Sequence, residues 1–169
     1  VFEELGSKEK ILELHALGLL SQVESHTTTW RFNHLMEDFL RKKVTELRLP
    51  EYIKSLQHRA AAYLEKIGDI DRALEQLRAC RDWPKAAELI VRYGDSWHQS
   101  LYYWIKALPD NYVNDDHQLL YYQGISIRDV KPLEARESLS HSAALAGLKG
   151  DIRGKVRALM AILTAHFFA

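Results

Sequence analysis

Apolar residues recur at every third or fourth position from Pro50 onward, and this period constrains the fold more than any other feature of the chain. The first run of this kind lies between Pro50 and Gly68, where a proline can start a helix and a glycine can end it. The chain holds only 4 Pro and 8 Gly, and they fall between such runs. The pattern therefore predicts a mainly α fold.

The dipeptide Gly-Asp stands between amphipathic runs at 68–69, 94–95 and 150–151. A glycine adopts the left-handed conformation that ends many helices, and an aspartate caps the next helix. We therefore predict a left-handed glycine and an aspartate cap at all three positions. Asp95 would start a helix with Trp97 and Trp104 on its inner face, and 110–116 would form a looser connection.

Helices this short and this closely joined suggest a repeat of helix pairs, and the tetratricopeptide repeat has a period of about 34 residues. Ala61 and Ala73 have the separation of the small residues in that repeat, and Gly124 and Ala158 are 34 residues apart. The segment from Trp83 to Leu108 keeps neither feature. We expect residues 50–169 to form a tetratricopeptide-like right-handed α-α superhelix.

Residues 1–49 follow a different pattern. A short helix from Ser7 is followed by two short segments rich in β-branched and aromatic residues, which predict a hairpin around the polar run 25–28. Asn33 can then cap a second amphipathic helix. Helix, hairpin and helix in this order predict the C-terminal part of a winged-helix subdomain, so we place the domain boundary between residues 49 and 50.

Several motifs in this order resemble the MalT-like activators of the LuxR family, which are large ATP-dependent transcription activators. The similarity covers about residues 14–124 and includes an aromatic-Arg-aromatic junction, a helix pair, a block beginning Asp-Trp and a Trp-Leu-Pro joint. The matching residues are 30–34, His58, Arg59, Ala61, Ala62, Gly68, Ala73, Asp82, Trp83, Ala86, Ala87, Trp104, Leu108 and Pro109.

The resemblance implies a place in a longer protein, with an ATP-binding domain before this segment and a DNA-binding helix-turn-helix after it. It implies that adjoining domains of the parent and a small-molecule effector are partners. No phosphate-binding loop stands in this sequence, so we expect no cofactor in this fragment and ATP on a domain outside it. The alternative is a free-standing tetratricopeptide-like scaffold that binds a partner protein.

Charge and composition narrow the class of protein further. The 23 Lys+Arg balance 23 Asp+Glu, and residues 1–49 hold seven basic and eight acidic residues. We therefore expect no direct binding of this fragment to duplex DNA. The sequence contains no run of about 20 apolar residues, which is the length that a membrane-spanning helix needs. The one cysteine, Cys80, and the lack of a signal sequence favour the cytoplasm.

No group of residues predicts catalysis or a metal site. His34, Glu37 and Asp38 have a spacing that could hold a metal, but acidic residues in a first helical turn are already explained by the helix dipole. Asp115, Asp116 and His117 are interpreted in the same way, as a polar cap. Cys80 is expected to be a packed thiol without a base. We therefore expect a protein that is not an enzyme.

Four tyrosines are the candidate contacts for a ligand or partner, because an aromatic ring with a polar tip suits an amphipathic effector. They are Tyr102, Tyr103, Tyr121 and Tyr122. Packing against a neighbouring helix is the alternative role for Tyr102 and Tyr103. We also expect the last helix to expose apolar residues that would cause self-association, namely Ile162, Leu163, Phe167 and Phe168.

Overall fold

A computed structural model describes residues 7–23, 30–47, 50–96 and 100–167. The described chain is mainly α-helical with one two-stranded sheet, which confirms the predicted class. It divides into two compact units, Val1–Arg59 and Ala60–Ala169. The boundary predicted between residues 49 and 50 stays a prediction. The predicted tip of the hairpin and Trp97 lie outside the described residues.

The first unit contains a helix, an antiparallel hairpin and a second helix, followed by the start of a third. The elements are α1 (Ser7–Ala16), β1 (Leu20–Gln22), β2 (Trp30–Phe32), α2 (His34–Glu46) and the beginning of α3 (Pro50–Lys66). In the hairpin Leu20 pairs with Phe32 and Gln22 pairs with Trp30. The predicted order of elements is therefore correct.

Asn33 joins the hairpin to α2 through hydrogen bonds in both directions. Its Oδ1 accepts a hydrogen bond from the backbone N–H of Met36 at 2.8 Å, which caps the helix as predicted. Its Nδ2 donates to the carbonyl oxygen of Gly18 at 2.8 Å. One side chain thus fixes the start of α2 against the turn that follows α1.

The second unit is a succession of helices joined by short connections. They are α4 (Ile70–Ala79), α5 (Trp83–Tyr93), α6 (Leu101–Ala107), α7 (Asp110–Asn114), α8 (His117–Ile127), α9 (Pro132–Leu148) and α10 (Ile152–Phe167). The α9 helix packs against both α8 and α10. Because its connections to them are short, these neighbours are antiparallel.

The core of the second unit comes from the inner faces of these helices. On α3 only Ala61 is buried, whereas Leu56 and Ile67, which lie in the apolar run predicted between Pro50 and Gly68, are exposed. Trp104 is buried as predicted, and its Nε1 donates to Asp71 Oδ1 at 2.6 Å. The other side chains of the main cluster are Ile70, Ala73, Leu74, Leu77, Ala86, Leu89, Ile90, Leu101, Ile105, Leu108, Val113, Leu119, Leu120 and Tyr122.

The Gly-Asp prediction is correct at two of its three positions. Gly68 and Gly150 have φ angles of 80° and 74°, and Asp69 and Asp151 accept hydrogen bonds from the following helices. The prediction for Gly94 is wrong, because its φ is −56°. Asp95 does not cap α6, which begins at Leu101, and the segment predicted to be loose contains α7.

Gly94 is required for a different reason. A Cβ atom on this residue would lie 2.5 Å from Cζ of Tyr122, a separation that no side chain tolerates. The glycine therefore lets the ring of Tyr122 lie directly against the backbone at the end of α5. Close packing of a distant aromatic ring, rather than a left-handed turn, explains the glycine here.

Candidate functional site

One polar group of the second unit consists of Asp95, Tyr121, Tyr122 and Arg157, which we call the arginine cluster. Its members come from the segment after α5, from α8 and from α10. The guanidinium of Arg157 lies 4.2 Å from the ring centroid of Tyr121 and 5.5 Å from that of Tyr122. A cation over aromatic faces is attracted by the negative face of each ring.

Asp95 receives hydrogen bonds from two members of the arginine cluster. The Tyr122 hydroxyl donates to Asp95 Oδ1 at 2.9 Å, and Nη2 of Arg157 donates to the same oxygen. The two tyrosine rings meet edge to face with centroids 5.4 Å apart. The aspartate thereby connects α10 to a part of the chain that lies 62 residues earlier.

The electrostatics of the cluster favour the pairing that its geometry shows. Burial of Tyr122 raises the pKa of its phenol, and the hydrogen bond to Asp95 raises this pKa further, so the hydroxyl keeps the proton that it donates. Partial burial works to lower the pKa of Arg157, but the hydrogen bond to Asp95 and the neighbouring tyrosines outweigh this and raise it. Arg157 is a permanent cation here.

A shallow cleft lies beside the cluster, between α8, α9 and α10. It is partly open to solvent and encloses only about 20 Å³. Ser142, which is buried, donates its hydroxyl to the backbone carbonyl oxygen of His117 at 2.6 Å. The lining side chains are those of His117, Gln118, Tyr121, Ser142, Gly154 and Arg157. A space of this size holds about one water molecule, so the cleft suits water or a small polar group.

His117 lines this cleft and connects the starts of α8 and α10. Its Nε2 lies 2.8 Å from Asp151 Oδ2, and Asp151 also accepts a hydrogen bond from the backbone N–H of Gly154. These contacts hold the pKa of the Asp151 carboxyl below its usual value, with the backbone hydrogen bond as the larger cause. Among the described residues, Nδ1 of His117 is buried and has no hydrogen-bond partner.

The four tyrosines predicted as contacts lie in two separate places. Tyr121 and Tyr122 belong to the arginine cluster, where Tyr122 is buried. Tyr102 and Tyr103 lie on α6. Lys106 is 5.9 Å from the ring centroid of Tyr102, and the exposed Tyr103 accepts a hydrogen bond from Arg78 Nη1 at 3.1 Å. Tyr103 also packs edge to face against Trp104.

Sequence reasoning did not find two central members of the cluster, Asp95 and Arg157. The local sequence around Asp95 predicted a helix cap, and Arg157 lies in a segment that predicted only an amphipathic helix. Because 62 residues separate them, no local spacing marks their pairing. The only sequence signal nearby was the adjacent pair of tyrosines on α8.

Two of the residues considered for metal binding have other roles. Glu37 forms an ion pair with Arg41 at 2.6 Å, and Asp116 accepts hydrogen bonds from Gln118 and Leu119, which confirms the predicted polar cap. Within 7–23, 30–47, 50–96 and 100–167, no three His, Cys, Asp or Glu side chains form a group that could hold a metal. The half-buried Cys80 donates its thiol to the carbonyl oxygen of Leu77 at 3.3 Å.

Comparison with known proteins returns no match, whether to a family, to a curated protein or to a solved structure. In the described part of the chain, no helix is long and apolar enough to cross a membrane. The contacts described above fix the positions of successive helices relative to one another.

A conservative substitution measures the strength of the arginine cluster. Tyr122→Phe removes the hydrogen bond to Asp95 from a buried ring, so we expect it to lower the free energy of unfolding by about 1 kcal/mol. The matched control is Tyr103→Phe, which removes a hydroxyl that accepts from Arg78 on the surface. We expect the control to change stability by less than about 0.5 kcal/mol. Urea unfolding monitored by circular dichroism provides both values, and equal values would contradict the prediction.

Acid stability depends in part on Asp151, because its pKa is lowered in the folded chain. Such a group stabilises the fold fully above its unfolded pKa of about 3.9, and the stabilisation is lost as the pH falls through the lower folded pKa. We therefore expect Asp151→Asn to destabilise the protein most at pH values above about 5 and less as the pH falls below about 4. Urea unfolding at pH values from about 5 down to about 2 tests this, and a constant difference would refute it.

Proposed function

We propose that this chain is a regulatory module of a MalT-like activator of the LuxR family. Its role would be to couple effector sensing on a helical solenoid to an ATP-dependent switch on another domain. The observation that carries this proposal is a register of 34 residues between contacting groups. His117 pairs with Asp151, and Lys149 Nζ donates to the carbonyl oxygen of Asp115 at 2.6 Å, each across 34 residues.

This register supports a tetratricopeptide-like right-handed superhelix for the second unit, since 34 residues is the period of that repeat. The packing of Gly124 on α8 against Leu139 of α9 supports the same proposal, because small residues let paired helices approach closely. The order of helix, hairpin and helix in the first unit supports a partial winged helix. Both features agree with the family resemblance.

The arginine cluster supplies a physical means of coupling. Arg157 on α10 and Asp95 after α5 are joined directly, so a shift of α10 must either move the segment at Asp95 or break their ion pair. A module with two such arrangements can transmit binding at one end to a neighbouring domain. In this proposal the module neither hydrolyses ATP nor binds DNA, and it acts in the cytoplasm.

A specific observation favours the second candidate, which is a free-standing scaffold that binds a partner protein. The α10 helix exposes a continuous row of apolar side chains, as a docking helix does. Both candidates are binding modules without a catalytic centre. They differ in the domains that must accompany this segment.

The test is to determine the parent reading frame on both sides of the segment and then assay the parent protein. The activator requires a Gly-x-x-x-x-Gly-Lys-Ser/Thr loop upstream and a helix-turn-helix downstream. In that parent we expect Arg157→Ala to change effector-dependent transcription in a reporter strain while ATP binding is retained. The control is Arg136→Ala, an exposed arginine on α9. If both flanking domains are absent, the proposal of an activator is overturned and the partner-binding scaffold remains as the candidate function.

A further inference from the structure

The outer face of α10 carries an apolar stripe that no described residue covers. Five of its side chains are between 44% and 75% exposed, and they recur at intervals of three or four residues. They are Ile152, Val156, Leu159, Met160 and Leu163. At 3.6 residues per turn they form one continuous row about 16 Å long. We call this row the α10 stripe.

The α10 stripe lies opposite the face by which the helix is packed. Ala158 and Ala161 are buried, and with Gly154 they form the side that faces the rest of the second unit. The helix therefore uses its small residues for contact inside the unit and presents its large residues outward. The expectation that Leu163 is exposed is confirmed, and Ile162 is half-buried. The side chains of Phe167 and Phe168 lie outside the described residues.

Basic side chains border the α10 stripe on both edges. At about 100° of rotation per residue, Arg153 lies beside the stripe on one edge and Lys155 on the other. Both are exposed. Between residues 152 and 167 the helix contains no Asp or Glu. The face thus has an apolar centre and positive edges.

This distribution of charge indicates which kind of molecule can bind to the α10 stripe. We propose that the α10 stripe is the docking surface for an amphipathic helix of a partner protein, with an apolar row along its centre and acidic residues along its edges. Acidic edges would meet Arg153 and Lys155 while the apolar rows exclude water. A second copy of α10 would offer an apolar row but no acidic side chain to either edge. Charge complementarity therefore favours a different helix over self-association.

Two synthetic peptides of about five helical turns test the proposal with the whole 169-residue chain. They carry the same row of leucines, but one has glutamate at both edges and the other has lysine. In fluorescence anisotropy at low salt we expect the acidic peptide to bind at least about tenfold more tightly. The difference should shrink at about 0.5 M salt, where charges are screened.

Variants of the chain separate a specific site from general adhesion. Leu159→Glu places a charge in an exposed part of the row and should abolish binding of both peptides. The control is Ser140→Glu, which adds the same charge on an exposed part of α9 and should leave binding unchanged. The double variant Arg153→Glu, Lys155→Glu should reverse the preference between the peptides. Circular dichroism checks that each variant keeps its helix content.

Three results would overturn the proposal. The first is that neither peptide binds, and the second is that both bind equally well to the unchanged chain. The third is a doubled mass in light scattering that Leu159→Glu returns to the mass of one chain, which would make a second copy the occupant. Tight binding of the acidic peptide with reversal by the double variant supports the proposal.

Discussion

Leu139→Ala is expected to lower the free energy of unfolding by about 3 kcal/mol, within a range of about 2–5 kcal/mol for buried leucines. Leu139 is fully buried on α9, where its side chain packs against the backbone of α8 at Gly124. Its truncation removes apolar contacts and leaves a cavity that close-packed helices fill only in part. Urea unfolding followed by circular dichroism measures the loss.

The control for this substitution lies on the same helix. Leu133 is 77% exposed in the first turn of α9, so Leu133→Ala should change stability by no more than about 0.5 kcal/mol. The comparison holds the residue types and the helix constant and varies burial alone. Equal losses for the two variants would show that Leu139 is not part of a packed core.

Gly124→Ala is expected to destabilise the protein by about 1–3 kcal/mol, although alanine favours a helix by about 1 kcal/mol. The added Cβ would lie 2.6 Å from Leu139 Cγ and 3.0 Å from the backbone oxygen of Ala135. To relieve these contacts α8 and α9 must move apart. The control is Gly147→Ala on α9, where the nearest atom of Lys155 is 3.5 Å away, and this change should be neutral or stabilising.

The double variant Gly124→Ala, Leu139→Ala tests whether contact with the Leu139 side chain causes the loss of stability in Gly124→Ala. In Leu139→Ala the side chain that Gly124→Ala would contact is gone, so the alanine should cost at least about 1 kcal/mol less than in the unchanged chain. The remaining cost comes from the contact with the oxygen of Ala135. Strict additivity of the two losses would show that the glycine serves another purpose.

Local signals predicted those parts of the fold that local interactions determine. Asp69 and Asp116 each accept backbone hydrogen bonds at the start of a helix, as their sequence position indicates. Gly68 and Gly150 adopt the left-handed conformation because each of them ends a helix. Caps depend on a few neighbouring residues, so a short window of sequence contains all of the information.

The Gly-Asp pair at 94–95 shows why the rest was not predictable. Its sequence is the same as that of the other two pairs, but the ring of Tyr122 lies against Gly94 and the Tyr122 hydroxyl bonds to Asp95. A partner 27 or 28 residues away therefore decides the role of both residues. The candidate site depends on the same kind of distant contact, which is why the tyrosines were recognised and Arg157 was not.

The ion pair of Asp95 and Arg157 also has a consequence for the order of folding. Most contacts of the second unit join helices that are adjacent in sequence, and such contacts form early because they close short loops. The pairing of Asp95 with Arg157 closes a loop of 62 residues, so we expect it to form later than the contacts between neighbouring helices. Loss of this pair should therefore speed unfolding and leave the folding rate nearly unchanged. The ion pair would then slow the separation of two segments that are far apart in the sequence.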